Sequence, residues 1–278
     1  MDNRHRKDSD KVGLIRMKSG WKKTSGLLTI LSVVIIAQAQ EYWSAKPFNQ
    51  WSRAEAEQLL NDSPWARKQQ VLIRYGERST SVAGGNNPAE AQGGFMRSEG
   101  NTAALGGARA PVDFTFTLRL RSALPVREAL VRLKQIDAHY DEMSAEDRAA
   151  FDAKMKGLLE CPGCANNYVL TLGSKSKESP GADAVYTVFA AAKLADIKRY
   201  ITIANDGGER RELIHFVPPR VPGDEATFFF ARLDDKGRPL LTRDSKQLLF
   251  NLTNNDVNLV ANFKIDVPRL IVNGEVSF

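Results

Sequence analysis

Residues 113–121, DFTFTLRLR, alternate without a break: Phe114, Phe116, Leu118 and Leu120 fall on one side, Thr115, Thr117, Arg119 and Arg121 on the other. Successive side chains of a strand point to opposite faces, so this segment belongs to a sheet with one face in a core and the other toward solvent or a polar cover. A strand that buries one face needs partners, and the sequence offers them. Residues 69–75 alternate through Val71, Ile73 and Tyr75. Residues 168–172, 227–233, 246–252 and 258–266 read as further strands. Residues 201–204 and 211–217 flank Asn-Asp-Gly-Gly, and residues 270–278 carry Asn-Gly between two short apolar runs. Both are hairpin signals, because these residues reach the positive φ angles of a tight turn. Short strands at close spacing with turn residues between them predict an antiparallel, sandwich-like sheet.

Helices are expected before and among these strands. Ser52 with Glu55 three residues on is a capping box, and Ala56, Leu59 and Leu60 follow at helical spacing until Asn61, Asp62, Ser63 and Pro64 stop it. Pro125 opens a second helix, with Val126, Ala129, Leu130, Leu133 and Ile136 as its buried stripe. Ser144 caps a third, with Phe151, Met155, Leu158 and Leu159 on one face. Residues 194–200 suit a helical turn. The fold class is therefore α+β, with a few amphipathic helices toward the N-terminus and a β-rich, antiparallel C-terminal part.

The organisation follows from composition. Lys18, Lys22 and Lys23 precede the uncharged run GLLTILSVVIIA, and Ala37-Gln38-Ala39 supplies a small-x-small cleavage pattern. Basic, then apolar, then small is the order of a secretory signal peptide, and the run is too short to span a bilayer. Residues 1–39 are thus expected to be removed. Met17 stands at the usual distance before the run, so residues 1–16 read as an over-long start or an extended leading region. Residues 40–75 hold the first helix and strand. Residues 76–111 carry eight glycines and few large apolar side chains, too little to offset the entropy of ordering, and are expected to form a disordered loop. Residues 112–278 form the α+β domain, β-rich from 167.

Export alters the charge argument. The whole chain has net charge +6, but eight of its 39 basic and three of its 33 acidic residues lie before Gln40. What remains is 31 against 30. A basic field that would attract nucleic acid does not survive in the mature chain. Contact with a membrane is expected only through the signal segment.

Cys161 and Cys164 are the only cysteines, in ECPGCANNY. A redox-active pair would place its attacking thiol at a helix N-terminus, where the dipole lowers the thiol pKa. Here a helix is expected to end at Glu160, and Pro162 and Gly163 read as stop residues. A zinc site would need four ligands, and besides the cysteines only His139 and His215 follow the signal, without ligand spacing. A short structural disulfide fits the oxidising compartment. Asn254, Asp256 and Asn258 alternate as calcium ligands can, but the glycine and distal glutamate of an EF-hand are missing. Phe278, with Leu270, Val272 and Val276 at alternate positions, is patterned like the last strand of an outer-membrane barrel, against which the helices and the strand-flanking prolines speak. No nucleophile elbow, zincin motif or phosphate loop occurs. No catalytic residue, metal ligand or cofactor site is assigned on this basis.

The segment WSRAEAEQLLNDSPWA, residues 51–66, resembles the N-terminal motif of a group of uncharacterised secreted bacterial proteins. They share a Trp-Ser-x-x-Glu start, a Ser-Pro-Trp end and a β-rich C-terminal part. The resemblance covers about sixteen of 278 residues. It implies export and the α+β architecture and carries over no catalytic residue. On the residues themselves, a helix this short is not stable alone. Trp51, Leu59, Leu60 and Trp65 are therefore expected to dock it onto the β-rich core, the rival being an exposed epitope for a partner. The functional expectation is a periplasmic or secreted binding or structural protein with an envelope or extracellular partner. The alternative is an exported thiol-dependent or hydrolytic enzyme whose site is assembled only in space.

Overall fold

The computed structural model describes residues 42–73, 112–254, 259–272 and 275–278. The signal segment, the glycine-rich stretch 76–111 and Asp256 and Asn258 lie outside these residues. The chain divides into two units, 1–45 and 46–278. Of the first, one helical turn is described, α1 (Tyr42–Ala45), in which the rings of Tyr42 and Trp43 meet edge to face with centroids 5.1 Å apart.

The second unit is built on one antiparallel sheet. Its strands are β1 (Ala66–Ile73), β2 (Val112–Leu120), β3 (Asn167–Ser176), β4 (Ile201–Asn205), β5 (Arg210–Val217), β6 (Ala226–Ala231), β7 (Gln247–Asn254) and β8 (Leu259–Asp266). Their order is β1-β2-β3-β6-β5-β4-β7-β8. The alternation in β2 sets its orientation: Phe114, Phe116, Leu118 and Leu120 are fully buried, and Thr115 and Arg119 face the other way. In register, Leu118 stands beside Leu172 and Leu120 beside Leu170 of β3, so the inner face is continuous across the pair. The sheet curls until β1 approaches β8. The gap between these edges is bridged by side chains. Gln69 Oε1 accepts the Asn262 N–H at 3.0 Å, Arg67 Nε donates to the Lys264 carbonyl at 3.1 Å, and Arg67 pairs with Asp266 at 3.4 Å.

The nearly closed sheet holds the core. Phe228 touches Phe250 at 5.7 Å across it, and Phe250 touches Phe230 and Phe263 at 6.4 and 6.2 Å. Such ring pairs contribute roughly 0.5–1.5 kcal/mol each beyond the area they bury. The alternation is the reverse of a membrane barrel, whose apolar band faces outward. On β8, Leu259, Ala261, Phe263 and Ile265 are buried while Asn262 and Lys264 are exposed. Among the described residues no helix is long and apolar enough to cross a membrane.

Among the described residues of this unit there are five α-helices: α2 (Arg53–Asn61), α3 (Leu124–Asp137), α4 (Ala145–Glu160), α5 (Ala184–Phe189) and α6 (Leu194–Ile197). In α2 the capping box is formed as expected, with the Ser52 N–H donating to Glu55 at 2.8 Å and the Glu55 N–H to Ser52 Oγ at 3.3 Å. Helix α2 packs against α3 and the start of β1. The buried stripe of α3 differs from the expected one. Val126 and Ala129 are buried, but Leu130, Leu133 and Ile136 are only half-buried, while Arg127, Val131, Arg132 and Gln135 go inside. The cause is coverage on several sides by α2, α4 and the turn at Phe48–Gln50. The arginines are tolerated there because they bond carbonyls: Arg127 reaches Ser122 and Leu159, and Arg132 Nε donates to Trp51 O at 2.7 Å. Helix α4 lies outermost, with Phe151, Met155, Leu158 and Leu159 all half-covered. Helix α5 brings Phe189 onto Phe216 and Phe228 at 6.0 and 5.6 Å.

Both expected hairpins form. Between β4 and β5, Gly208 has φ 84° and donates its N–H to Asn205 O at 3.1 Å, a backbone conformation costly for any side chain with a Cβ. Asp206, next in the turn, accepts the N–H groups of Lys246 and Gln247 at 2.8 and 3.2 Å, which holds its carboxyl below the ordinary range. At the end of the chain β9 (Ile271–Val272) pairs with β10 (Glu275–Val276), and the Asn-Gly between them lies outside the described residues.

Candidate functional site

The outward half of the β1–β3 pattern builds a groove of about 1200 Å³. Its floor is the outer face of three strands. Lys68 pairs in register with Thr117 and Thr117 with Gly173; one step along, Gln70 pairs with Thr115 and Thr115 with Lys175. Gln70 and Thr115 bond each other through their side chains at 3.0 and 3.2 Å. One wall is the exposed face of α2, with Glu57, Gln58 and Asn61; the other is formed by Lys177, residues 181–183, Pro222, Gly223 and Glu225.

One half-buried ion pair fixes this frame. Arg119, its side chain 15% exposed, pairs with Glu225, donates to Leu60 O at the end of α2 and reaches Asn61 Oδ1 at 3.3 Å. Burial pushes its guanidinium down to about 10, which still leaves it a cation at neutral pH. Glu225 reaches it by lying over Gly173: a Cβ there would meet the Glu225 side chain at 3.4 Å. Asp183 holds the far wall by accepting from Ser174 Oγ at 2.6 Å, Tyr186 N at 3.1 Å and Gly223 N at 2.8 Å. Two of the groove's acids are thus committed to structure. Lys68, Lys175 and Lys177 are exposed, and no ion pair is formed by them among the described residues. The only apolar side chains in the described lining are those of Ala54, Ala182 and Pro222.

The residues singled out in the sequence lie elsewhere. Cys161 and Cys164 are joined as a disulfide with Cα atoms 5.3 Å apart. Cys161 ends α4 in the left-handed region, φ 43°, and Cys164 is buried in the following turn. The helix thus precedes the pair, and its C-terminal dipole end disfavours a thiolate. The Cys164 carbonyl accepts from Arg232 Nε at 3.0 Å; the Arg232 guanidinium lies over the Tyr168 and Phe278 rings at 4.8 and 5.2 Å. Burial lowers Arg232 and raises Tyr168 from their ordinary values. The loop is therefore tied to one end of the sheet's interior.

Trp51 is 1%, Leu59 0%, Leu60 5% and Trp65 0% exposed. Neither tryptophan ring is an exposed epitope. Trp51 Nε1 donates to Lys46 O at 3.2 Å, and Trp65 Nε1 to Ser277 O at 2.8 Å. His139 sits in a left-handed turn with its side chain 75% exposed, and His215 meets Phe229 at a tilt, centroids 4.9 Å apart, on the outer face of β5. Among the described residues no group of three His, Cys, Asp or Glu side chains is gathered for a metal ion. No family model, curated protein or solved structure matches the chain.

Proposed function

We propose that the chain is an exported protein of the periplasm or extracellular space with a binding or structural role, acting through the groove over β1–β3. The groove carries the reading. Its open surface is made mainly of lysines, amides and hydroxyls, groups that hold a ligand; of its acids, Glu225 and Asp183 are bound into the frame and Glu57 pairs with Arg53 at 3.7 Å. The disulfide supports an oxidising compartment, and the resemblance of residues 51–66 to the secreted group points the same way.

Two measurements test this. Mass spectrometry of the native protein should find it in the envelope or culture fraction, starting near Gln40; an intact Met1 or Met17 in the cytosol refutes export. For the groove, Gln70→Trp places an indole on the floor. Compounds from a glycan and peptide panel that raise the melting temperature of the wild type should lose that effect in the variant. An equal effect in both proteins places binding elsewhere and refutes the groove.

A further inference from the structure

The groove also specifies a ligand chemistry, and this inference rests on the binding role proposed above. Three observations bear on it. The first is the position of the cations. Lys68 and Lys175 occupy opposite corners of the β1–β2–β3 face, two strands and two residues apart, with Thr117 and Thr115 between them on β2. At ordinary strand spacing and rise their Cα atoms are about 12 Å apart, a separation suited to two charges on one chain. The third lysine, Lys177, follows on the same wall.

The second is what lies between the charges. Gln70, Thr115, Thr117, Gln58 and Asn61 line the path with hydroxyl and amide groups that can both donate and accept. A ligand with hydroxyls between its charges satisfies them. The third is the want of an apolar anchor: the described lining has only two alanines and a proline as apolar side chains. Protein and peptide partners draw most of their affinity from aromatic or long side chains seated in desolvated pockets. An acidic peptide would find its charges met but nothing to seat its side chains. The ready-made frame matters as well. Arg119 and Glu225 neutralise each other, so covering this half-buried pair on binding leaves no charge without a partner.

We infer that the groove binds an acidic oligosaccharide, a sugar chain whose carboxylates engage Lys68 and Lys175 while its hydroxyls bond Thr115, Thr117 and the α2 amides. The interaction is charge-assisted and exposed, so it weakens with salt.

The experiment titrates the full-length mature protein with tetragalacturonate, with maltotetraose as the neutral sugar and tetraglutamate as the acidic peptide. Tetragalacturonate should bind, with Lys68→Gln and Lys175→Gln each weakening it roughly tenfold or more, as expected for loss of one charge-assisted bond. Lys154→Gln, on the exposed face of α4, should leave binding unchanged; thermal melts of all variants check that the fold is retained. Maltotetraose bound as well, insensitive to the lysines and abolished by Gln70→Trp, overturns the acidic ligand and leaves the groove reading standing. Tetraglutamate bound more tightly than the acidic sugar overturns the choice of sugar. Binding unaffected by Gln70→Trp overturns both readings, and no binding of any probe at millimolar concentration overturns the inference.

Discussion

Truncating Trp65 tests the account of how the helical layer is held to the sheet. Trp65 follows Pro64 at the junction of α2 and β1 and is 0% exposed. Its carbonyl accepts the Leu120 N–H at 2.9 Å, so the backbone is fixed by β2, and its Nε1–H donates to Ser277 O at 2.8 Å. Trp65→Ala removes about 150–250 Å² of buried ring and leaves a cavity that this fixed backbone cannot close. The expected loss is about 3–5 kcal/mol. Trp65→Phe keeps most of the ring and loses the bond to the half-buried Ser277 carbonyl, at a cost of about 0.5–1.5 kcal/mol, the net worth of one hydrogen bond. Urea unfolding followed by circular dichroism reads both values. In thermal melts a unit of this size should shift roughly 2–4 °C per kcal/mol, so the alanine variant should melt on the order of 6–20 °C lower. Equal losses in the two variants would mean that the hydrogen bond, and not the ring, holds the junction. An unchanged midpoint in Trp65→Ala would refute the packing argument outright.

Two further outcomes are expected. Cys161→Ser should cost no more than about 2 kcal/mol, because the loop it closes is short, and should leave the groove's ligand binding unchanged; loss of an insulin-reducing activity in this variant would instead reveal redox chemistry. Glu55→Gln should destabilise the protein by about 1 kcal/mol at neutral pH, the scale of a helix cap. Burial alone would raise the Glu55 carboxyl, but bonds from Lys46 and Ser52 outweigh it and leave the folded value lowered. A lowered folded value stabilises above the unfolded pKa and is lost as pH falls through the folded one. The gap between wild type and variant should therefore be full at neutral pH and narrow in acid. A gap that stays constant down to the acid transition would contradict this.

The elements that were legible in the sequence are those whose signal is local. The Ser52–Glu55 box, the alternation of β2 and the Asn-Asp-Gly-Gly hairpin need only neighbours within a few residues, and each appears where expected. Helix α3 shows where locality ends. Its spacing selects Leu130, Leu133 and Ile136, yet Arg127 and Arg132 are more deeply buried because carbonyls of Ser122, Leu159 and Trp51 are waiting for them. Those carbonyls come from other elements, and nothing in the helix's own sequence announces them. Helix α5 has no local signal: Ala184–Phe189 is shorter than two turns and is held by the Asp183 cap and by Phe189 packing on the sheet, with no period long enough to read.

The groove was half legible. Alternation alone assigns Thr115, Thr117 and Arg119 to the face turned away from the core, and that face is its floor. What lies above the face is fixed by the sheet order. Strand β3 pairs with β6, which follows it by some fifty residues, so that Glu225 at the start of β6 comes to rest over Gly173 and meets Arg119. In sequence, Glu225 stands next to Asp224 and reads as part of a solvated acidic turn. Only one of the two does so: Asp224 caps the backbone N–H groups of Arg220 and Val221 and stays exposed, while Glu225 reaches across the sheet. A charged residue beside a turn takes its role from the strand that the turn delivers it to, and here that strand joins the cover of the groove to its floor.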